Sequence, residues 1–178
     1  MEISRNFGCF RAVNAHFLRV AVEERLMYNW FRKESGDLVR FPWHIIMISC
    51  RKLNRKHTFI AGSSMGGLMS IYALMEYNHI YSRAAALSPS LWASPVEVQN
   101  MLSTAQFEPD TVLYVDYGSE EFGNHRNMRR AFGELATLLM WRKLSLQCRI
   151  VPDGTHCEAS WEKQIPFFME TLLYDLDT

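Results

Sequence analysis

The run Ala61-Gly62-Ser63-Ser64-Met65-Gly66-Gly67 constrains this chain more than any other stretch. It follows the apolar segment Thr58-Phe59-Ile60-Ala61, which predicts a buried strand. It leads into Leu68-Met69-Ser70-Ile71-Tyr72-Ala73-Leu74-Met75, which predicts a buried helix. A strand, a Gly-x-Ser-x-Gly turn and a helix in that order make a nucleophile elbow. Strand and helix backbones crowd together at such a turn, so Gly62 and Gly66 leave room that a side chain would fill. The central Ser64 is lifted above the sheet at the helix N-terminus. There the backbone N–H of Met65 can donate to an oxyanion.

Downstream of residue 57 the chain alternates regularly. The spacing predicts a helix over Met65–Tyr77 with Asn78 as its C-cap, then a strand over Arg83–Ser88 ending in the turn Ser88-Pro89-Ser90. A surface helix is expected over Pro95–Thr104, with Ser94 as N-cap and Pro95 first. A strand over Thr111–Tyr117 is closed by Gly118. Met128, Ala131, Phe132, Leu135, Leu138 and Leu139 fall at helical spacing and predict an amphipathic helix over Asn124–Lys143. A strand over Leu146–Val151 stops at Pro152-Asp153-Gly154, and a last helix is expected over Glu158–Leu173. Strands alternating with helices imply an α/β fold with a mostly parallel sheet covered on both faces. At 178 residues the chain is read as one domain, 1–178, with 1–56 poorly defined and 57–178 carrying the motifs.

The upstream part is harder to read. Residues 21–28 predict one or two helical turns, 34–37 a turn, and Trp43–Cys50 a strand. A parallel neighbour to the strand before Ser64 needs a crossover of about a dozen residues, more than separates the two runs. Either the segment is helical despite Ile45, Ile46 and Ile48, or the pair runs antiparallel.

Charge and cysteine usage narrow the function classes. Lys plus Arg and Asp plus Glu number 19 each, so no global field favours nucleic acid or an anionic membrane as partner. The basic run Arg51-Lys52-Leu53-Asn54-Arg55-Lys56 reads as a solvated linker. Cys9, Cys50, Cys148 and Cys157 have no metal-ligand spacing and read as free thiols. Arg5, Arg11 and Arg19 interrupt the N-terminus, which predicts no signal peptide, and no stretch approaches a membrane span. A cytoplasmic location is expected.

A serine at such a turn needs a base, and the base needs an orienting acid, in the chain order serine, acid, histidine. His16, His44 and His57 come too early or abut the turn, His79 ends the following helix, and His125 begins a later one. His156 remains, in the loop Asp153-Gly154-Thr155-His156 just past the fourth strand. That is the strand-end rim where α/β sites form. The acid is expected after the third strand, where Glu120 and Glu121 follow Gly118-Ser119, and Asp116 sits inside the strand end. Its part is to accept the Nδ1–H of the histidine and stabilise the imidazolium.

Residues 58–92, reading TFIAGSSMGGLMSIYALMEYNHIYSRAAALSPSLW, resemble the putative-esterase family of α/β-hydrolases. That family includes feruloyl and acetylxylan esterases, S-formylglutathione hydrolase, siderophore esterases and mycolyltransferases. The stretches YVDYGSEE and GTH, and the pair Ser160-Trp161, add to the resemblance, which covers about two thirds of the chain. The family pattern Gly-x-x-Asp/Glu, laid on Gly118-Ser119-Glu120-Glu121, implies Glu121 rather than Glu120 as the acid, and the GTH histidine maps onto His156. The resemblance stops upstream. Family members carry further strands there and a loop, often with Asp-Gly, that supplies a second oxyanion N–H, and no such motif precedes residue 57. The N-terminal part is therefore expected to be truncated or diverged.

The expected function is a serine carboxylic-ester hydrolase acting through an acyl-enzyme on Ser64. Glu121 and His156 complete the catalytic set, Met65 is the oxyanion donor, and no cofactor or metal takes part. Trp92 and Trp161 are candidate pocket walls, or else buried structural residues. Small-molecule or carbohydrate-linked esters are the expected substrates, and self-association through an open sheet edge is expected if the early strands are missing. The alternatives are a catalytically weak or inactive fragment without a complete oxyanion hole, and an acyltransferase or peptidase on the same residues.

Overall fold

The computed structural model describes residues 45–49, 54–121 and 126–176. The turns expected over 21–28 and at 34–37, the Arg51–Leu53 part of the basic run, and His16, His44 and His125 lie outside the described residues.

Five strands form one sheet in the order β1-β2-β3-β4-β5. They are β1 Ile45–Ser49, β2 Thr58–Ser63, β3 Arg83–Leu87, β4 Val112–Gly118 and β5 Ser145–Val151. The last four pair in parallel, while β1 pairs antiparallel with β2, Ile45 opposite Gly62 and Ser49 opposite Thr58. This settles the conflict over the upstream isoleucines. The segment is a strand, and the short connection is allowed because an antiparallel pair needs no crossover. The strand leading to Ser64 is therefore flanked on both sides, by β1 and β3.

The helices are α1 Met65–Glu76, α2 Pro95–Thr104, α3 Arg126–Met140, α4 Glu158–Glu162 and α5 Ile165–Leu173. Phe168 and Leu172 of α5 pack on Phe59, Ala61, Ala85, Leu87 and Tyr114, one face of the sheet. Successive strand residues point to opposite faces, so Tyr117 belongs to the other face. There its ring meets Phe132 of α3, the centroids 5.5 Å apart. Contacts run from β2 and β3 to α1, from α1 to α2 and from α2 to α3, so these three helices share that second face.

Sandwiched strands must read as continuous apolar runs. β3 and β4 are buried along their whole length, and β2 along all but Ser63. β5 departs from the expected double cover: it ends the sheet among the described residues, and Ile150 is 55% exposed. The Arg149 guanidinium lies 3.7 Å from the centre of the Phe167 ring and covers part of this edge.

Several boundaries differ from expectation. α1 ends at Glu76 with Tyr77, not Asn78, as its C-cap. The strand expected over Thr58–Ala61 runs on to Ser63, and His57 sits just before it in a 3-10 turn, Arg55–His57. Ser94 does cap α2, with Pro95 first, but makes no side-chain capping hydrogen bond. α3 stops at Met140, short of Lys143. The helix expected over Glu158–Leu173 is broken into α4 and α5. The break follows from Pro166, which has no N–H to donate and whose ring crowds the preceding turn, so it is tolerated only in the first turn of a new helix.

Arg55 is not part of a solvated run. Its Nη2 donates to Asn78 Oδ1 and to Thr111 Oγ1, each at 3.1 Å, and Nη1 pairs with Asp110. Asn78 Oδ1 also accepts from the Glu108 N–H at 2.9 Å and from the Thr111 hydroxyl at 3.1 Å. This network ties together the segments that enter β2, β3 and β4. Among the described residues no helix is long and apolar enough to cross a membrane.

Candidate active site

Ser64 occupies the turn between β2 and α1 with φ 56 and ψ −119, a backbone conformation that L residues rarely adopt. Three hydrogen bonds hold it there. Its N–H donates to Leu87 O at 2.9 Å, and its carbonyl accepts from Leu68 N–H at 3.1 Å and Ser90 N–H at 3.0 Å. The crowding predicted at this turn is real. A Cβ on Gly62 would lie 2.5 Å from the carbonyl carbon of Gly66, and one on Gly67 would lie 3.0 Å from Leu87 O. Met65 opens α1, so its N–H has no intrahelical acceptor.

The sheet brings the histidine and one carboxylate to this turn. Ser64 Oγ is 2.8 Å from His156 Nε2, and His156 Nδ1 is 3.0 Å from Glu121 Oε2. Glu121 is only 1% exposed. Its other oxygen, Oε1, accepts from the Gly118 N–H at 2.7 Å and from the Ser88 hydroxyl. Of the three candidate acids, Glu121 alone meets His156. Glu120 is exposed and takes only a 3.3 Å contact from its neighbour Ser119 Oγ. Asp116 is buried, with Oδ1 accepting from Ser88 N–H at 3.0 Å and Oδ2 from Tyr114 OH at 2.9 Å. Burial pushes the Asp116 carboxyl up to about 6, against the pull of those two donors.

The loops bearing Glu121 and His156 are zipped to each other. Gly118 and Gly154 lie in such close backbone contact that a Cβ on either would clash with the other. Ser119 N–H donates to Val151 O and Glu120 N–H to Gly154 O, both at 2.9 Å, and Asp153 N–H donates to Ser119 Oγ at 2.9 Å. Asp153 takes a positive φ of 56 to make the turn. On the far side of His156, Thr155 N–H donates to Ser160 Oγ at 3.0 Å. The Cys157 thiol is shifted down, chiefly by its hydrogen bond with Thr155.

The two tryptophans part company. Trp92 is 56% exposed in the 3-10 turn just after Ser90, whose own hydroxyl is 3.2 Å from Ser64 Oγ. Trp161 stands edge-on to the His156 ring, with centroids 4.9 Å apart, and its Nε1–H donates to Ser88 Oγ at 2.9 Å. Neither is the fully buried structural tryptophan of the alternative reading.

Sequence reasoning assigned no role to Ser88 or Ser90. The signal was present in the Ser88-Pro89-Ser90 turn, but a turn motif does not reveal where its hydroxyls point. A second oxyanion donor, sought before residue 57, falls almost wholly outside the described residues. Among the described residues no group of three or more His, Cys, Asp or Glu side chains could hold a metal ion.

No curated protein matches the chain. Among solved structures, a ferulic acid esterase superposes with TM-score 0.53 at 18% identity, over 68% of this chain and 51% of that one. The enterobactin esterase of Shigella flexneri gives TM-score 0.61 at 22% identity, over 71% of this chain and 34% of that one. A Bacillus cereus protein gives TM-score 0.55 at 20% identity, over 66% and 47%. The chain thus spans between about a third and about half of the length of the proteins it resembles. These likenesses establish the α/β-hydrolase fold. The family model described as "Putative esterase" matches residues 45–171, most of the chain and every residue of the site just described. The chain belongs to this esterase family.

Proposed function

We propose that the chain is a serine carboxylic-ester hydrolase. The observation that carries this reading is the unbroken line from Ser64 Oγ through both nitrogens of His156 to the buried Glu121, with steps of 2.8 and 3.0 Å. Ser64 sits on a nucleophile elbow and attacks the ester carbonyl. His156 takes the hydroxyl proton at Nε2 and returns it to the leaving alcohol, and Glu121 holds the imidazolium through Nδ1–H. The carbonyl oxygen turns toward the N–H of Met65, where the N-terminal end of α1 favours developing negative charge. Water then attacks the acyl-enzyme with His156 as base.

The solved relatives are titled as ferulic acid and enterobactin esterases, which supports small-molecule esters as the substrate class here. Trp92, exposed next to Ser90, is suited to form a wall for the substrate, and the ring of Trp161 a second one beside His156. Cys148 and Cys157 are free thiols, consistent with a reducing, cytoplasmic setting.

The test is a hydrolysis panel of short-chain, aryl and feruloyl esters against wild type and Ser64→Ala, with fluorophosphonate labelling of both. Turnover and labelling by wild type alone is the expected result. Turnover that survives in Ser64→Ala would overturn the reading.

A further inference from the structure

An indole N–H can only donate, a serine hydroxyl has one proton to give, and an ionised carboxylate can only accept. These rules fix the direction of every hydrogen bond in a chain that begins at Trp161. Its Nε1–H donates to Ser88 Oγ at 2.9 Å. Ser88 is 3% exposed, and among the described residues the one acceptor its hydroxyl proton meets is Glu121 Oε1. That oxygen also receives the Gly118 N–H at 2.7 Å, so it is an acceptor twice over and carries no proton. Oε2 is left to accept from His156 Nδ1–H at 3.0 Å. With its proton on Nδ1, the neutral ring presents a bare Nε2 to the Ser64 hydroxyl at 2.8 Å.

We propose that Trp161 and Ser88 are positioning residues: the donor-only indole polarises the Ser88 hydroxyl onto Glu121, and so sets the tautomer of His156 at the far end of the chain. This rests on the proposed roles of Ser64, His156 and Glu121. The backbone shows that the arrangement is built rather than incidental. Ser88 holds a positive φ of 45, and its N–H is anchored on Asp116 Oδ1 at 3.0 Å. Trp161 also fixes the plane of His156 by its edge-on contact at 4.9 Å. One residue thus orients the ring directly by packing and its protonation remotely by hydrogen bonding. The charged groups around this line are Asp116 on β4, Arg149 on β5 beside it, and Arg129 on α3, which donates to Ser119 O at 2.8 Å.

Two variants separate the effects. Ser88→Ala keeps the Cβ and backbone but removes the link, while Trp161→Phe keeps an aromatic ring against His156 but removes the N–H. Ser88→Ala should lower kcat by roughly ten- to a hundred-fold with little change in KM, the size of a hydrogen bond to a charged group. Trp161→Phe should lower kcat several-fold, and the double variant should be no worse than Ser88→Ala, because both act on one chain. In Ser88→Ala, Glu121 loses a donor on Oε1 and concentrates charge on Oε2, and in Trp161→Phe the remaining Ser88 donor is less polarised. The midpoint of the pH–rate profile therefore moves upward in Ser88→Ala and in the same direction by less in Trp161→Phe. The low-field proton resonance of His156 Nδ1–H, followed by NMR in the full chain, should shift or broaden. A purely structural role would move neither the profile nor the resonance. If both variants keep wild-type kcat, profile and resonance while Ser64→Ala is inactive, the inference fails and the proposed function stands. If Ser64→Ala is active, the nucleophile has been misassigned, and the resonance still decides: its persistence unchanged in Trp161→Phe overturns the inference, and its loss supports it.

Discussion

The sheet carries a polar network at each end, and the two are built on opposite terms. Where the chain enters the strands, Arg55, Asn78, Asp110 and Thr111 form a closed set in which Asn78 Oδ1 serves three donors. Where the chain leaves them, Ser64, Ser88, Glu121 and His156 form a more deeply buried set, since Asp110 of the first is exposed, but the backbone beneath it is strained. Of the four non-glycine residues with positive φ among those described, Ser64, Ser88 and Asp153 are at this end, and the fourth, Asp175, is near the chain terminus. Both networks meet the rule that buried polar groups must be paired. Only the second holds its groups in conformations the chain would not choose. Strain at the end that carries the proposed reacting groups, and its absence from the network at the other end, separates the two.

That contrast can be broken most sharply at the proposed nucleophile. Ser64→Ala should lower turnover by roughly 10⁴-fold or more while leaving the unfolding midpoint close to wild type, because one hydroxyl is lost and the turn keeps its backbone hydrogen bonds. A collapse of the fold would mean that the strained end carries stability too. Next in size is Glu121→Gln, expected to cost roughly 10⁴-fold in kcat by forcing the wrong tautomer on the histidine. Glu120→Gln, on the exposed neighbour, should change kcat by less than about twofold, since an exposed side chain of this kind contributes little. Equal effects at the two positions would remove Glu121 from the mechanism.

At the other end the expected effects change in kind. Asn78→Ala strips the acceptor from Arg55, Thr111 and the Glu108 N–H, and should cost about 2–4 kcal/mol of stability by denaturant titration. Turnover per folded molecule, measured well below the midpoint, should stay at the wild-type level. A fall in kcat without a fall in stability would erase the distinction between the ends.

The smallest expected effect on stability probes the border between them. Asp116 is raised from 3.8 to about 6 by burial, so its protonated form stabilises the fold below the lower value, and that stability is lost as pH rises through the upper one. Asp116→Asn avoids burying the charge and should be more stable than wild type by about 1–2 kcal/mol at pH 8, part of the gain being returned through its amide's poorer match to Tyr114 OH. At pH 4 the advantage should vanish. A difference that is the same at both pH values would show that the Asp116 charge carries no cost.

Sequence reasoning reached the two ends unequally. The strand–turn–helix around Ser64, the succession of parallel strands after it and the loop position of His156 are written in local patterns: apolar runs, glycines where backbones touch, and an imidazole just past a strand end. Those patterns leave Glu120, Glu121 and Asp116 open as the acid, and the family resemblance alone favours Glu121. Arg55 is hidden because a basic run looks the same whether its arginine is solvated or folded back onto Asn78. Asn78 itself has the identity of a helix cap but spends its side chain on partners up to 33 residues away. Ser88 is invisible for the same reason, since its partners Glu121 and Trp161 lie 33 and 73 residues downstream. The break in the last helix could have been read from Pro166 alone. The antiparallel pairing of β1 was one of two options that chain length left open.

The glycine pair Gly118 and Gly154 has a mechanical consequence. With their loops fastened by three hydrogen bonds, Glu121 and His156 travel as one rigid body. Ser64 belongs to a second body, riveted to Leu87 and Ser90. The seam between the two is crossed at the site by Ser88–Glu121, Trp161–Ser88 and Ser64–His156. A displacement along this seam would stretch these three contacts together, the serine–histidine one among them, while the histidine–glutamate spacing lies within one body. Under the proposed mechanism, His156 would keep its orientation on Glu121 through such a displacement, and its distance from Ser64 would be among the coordinates free to change.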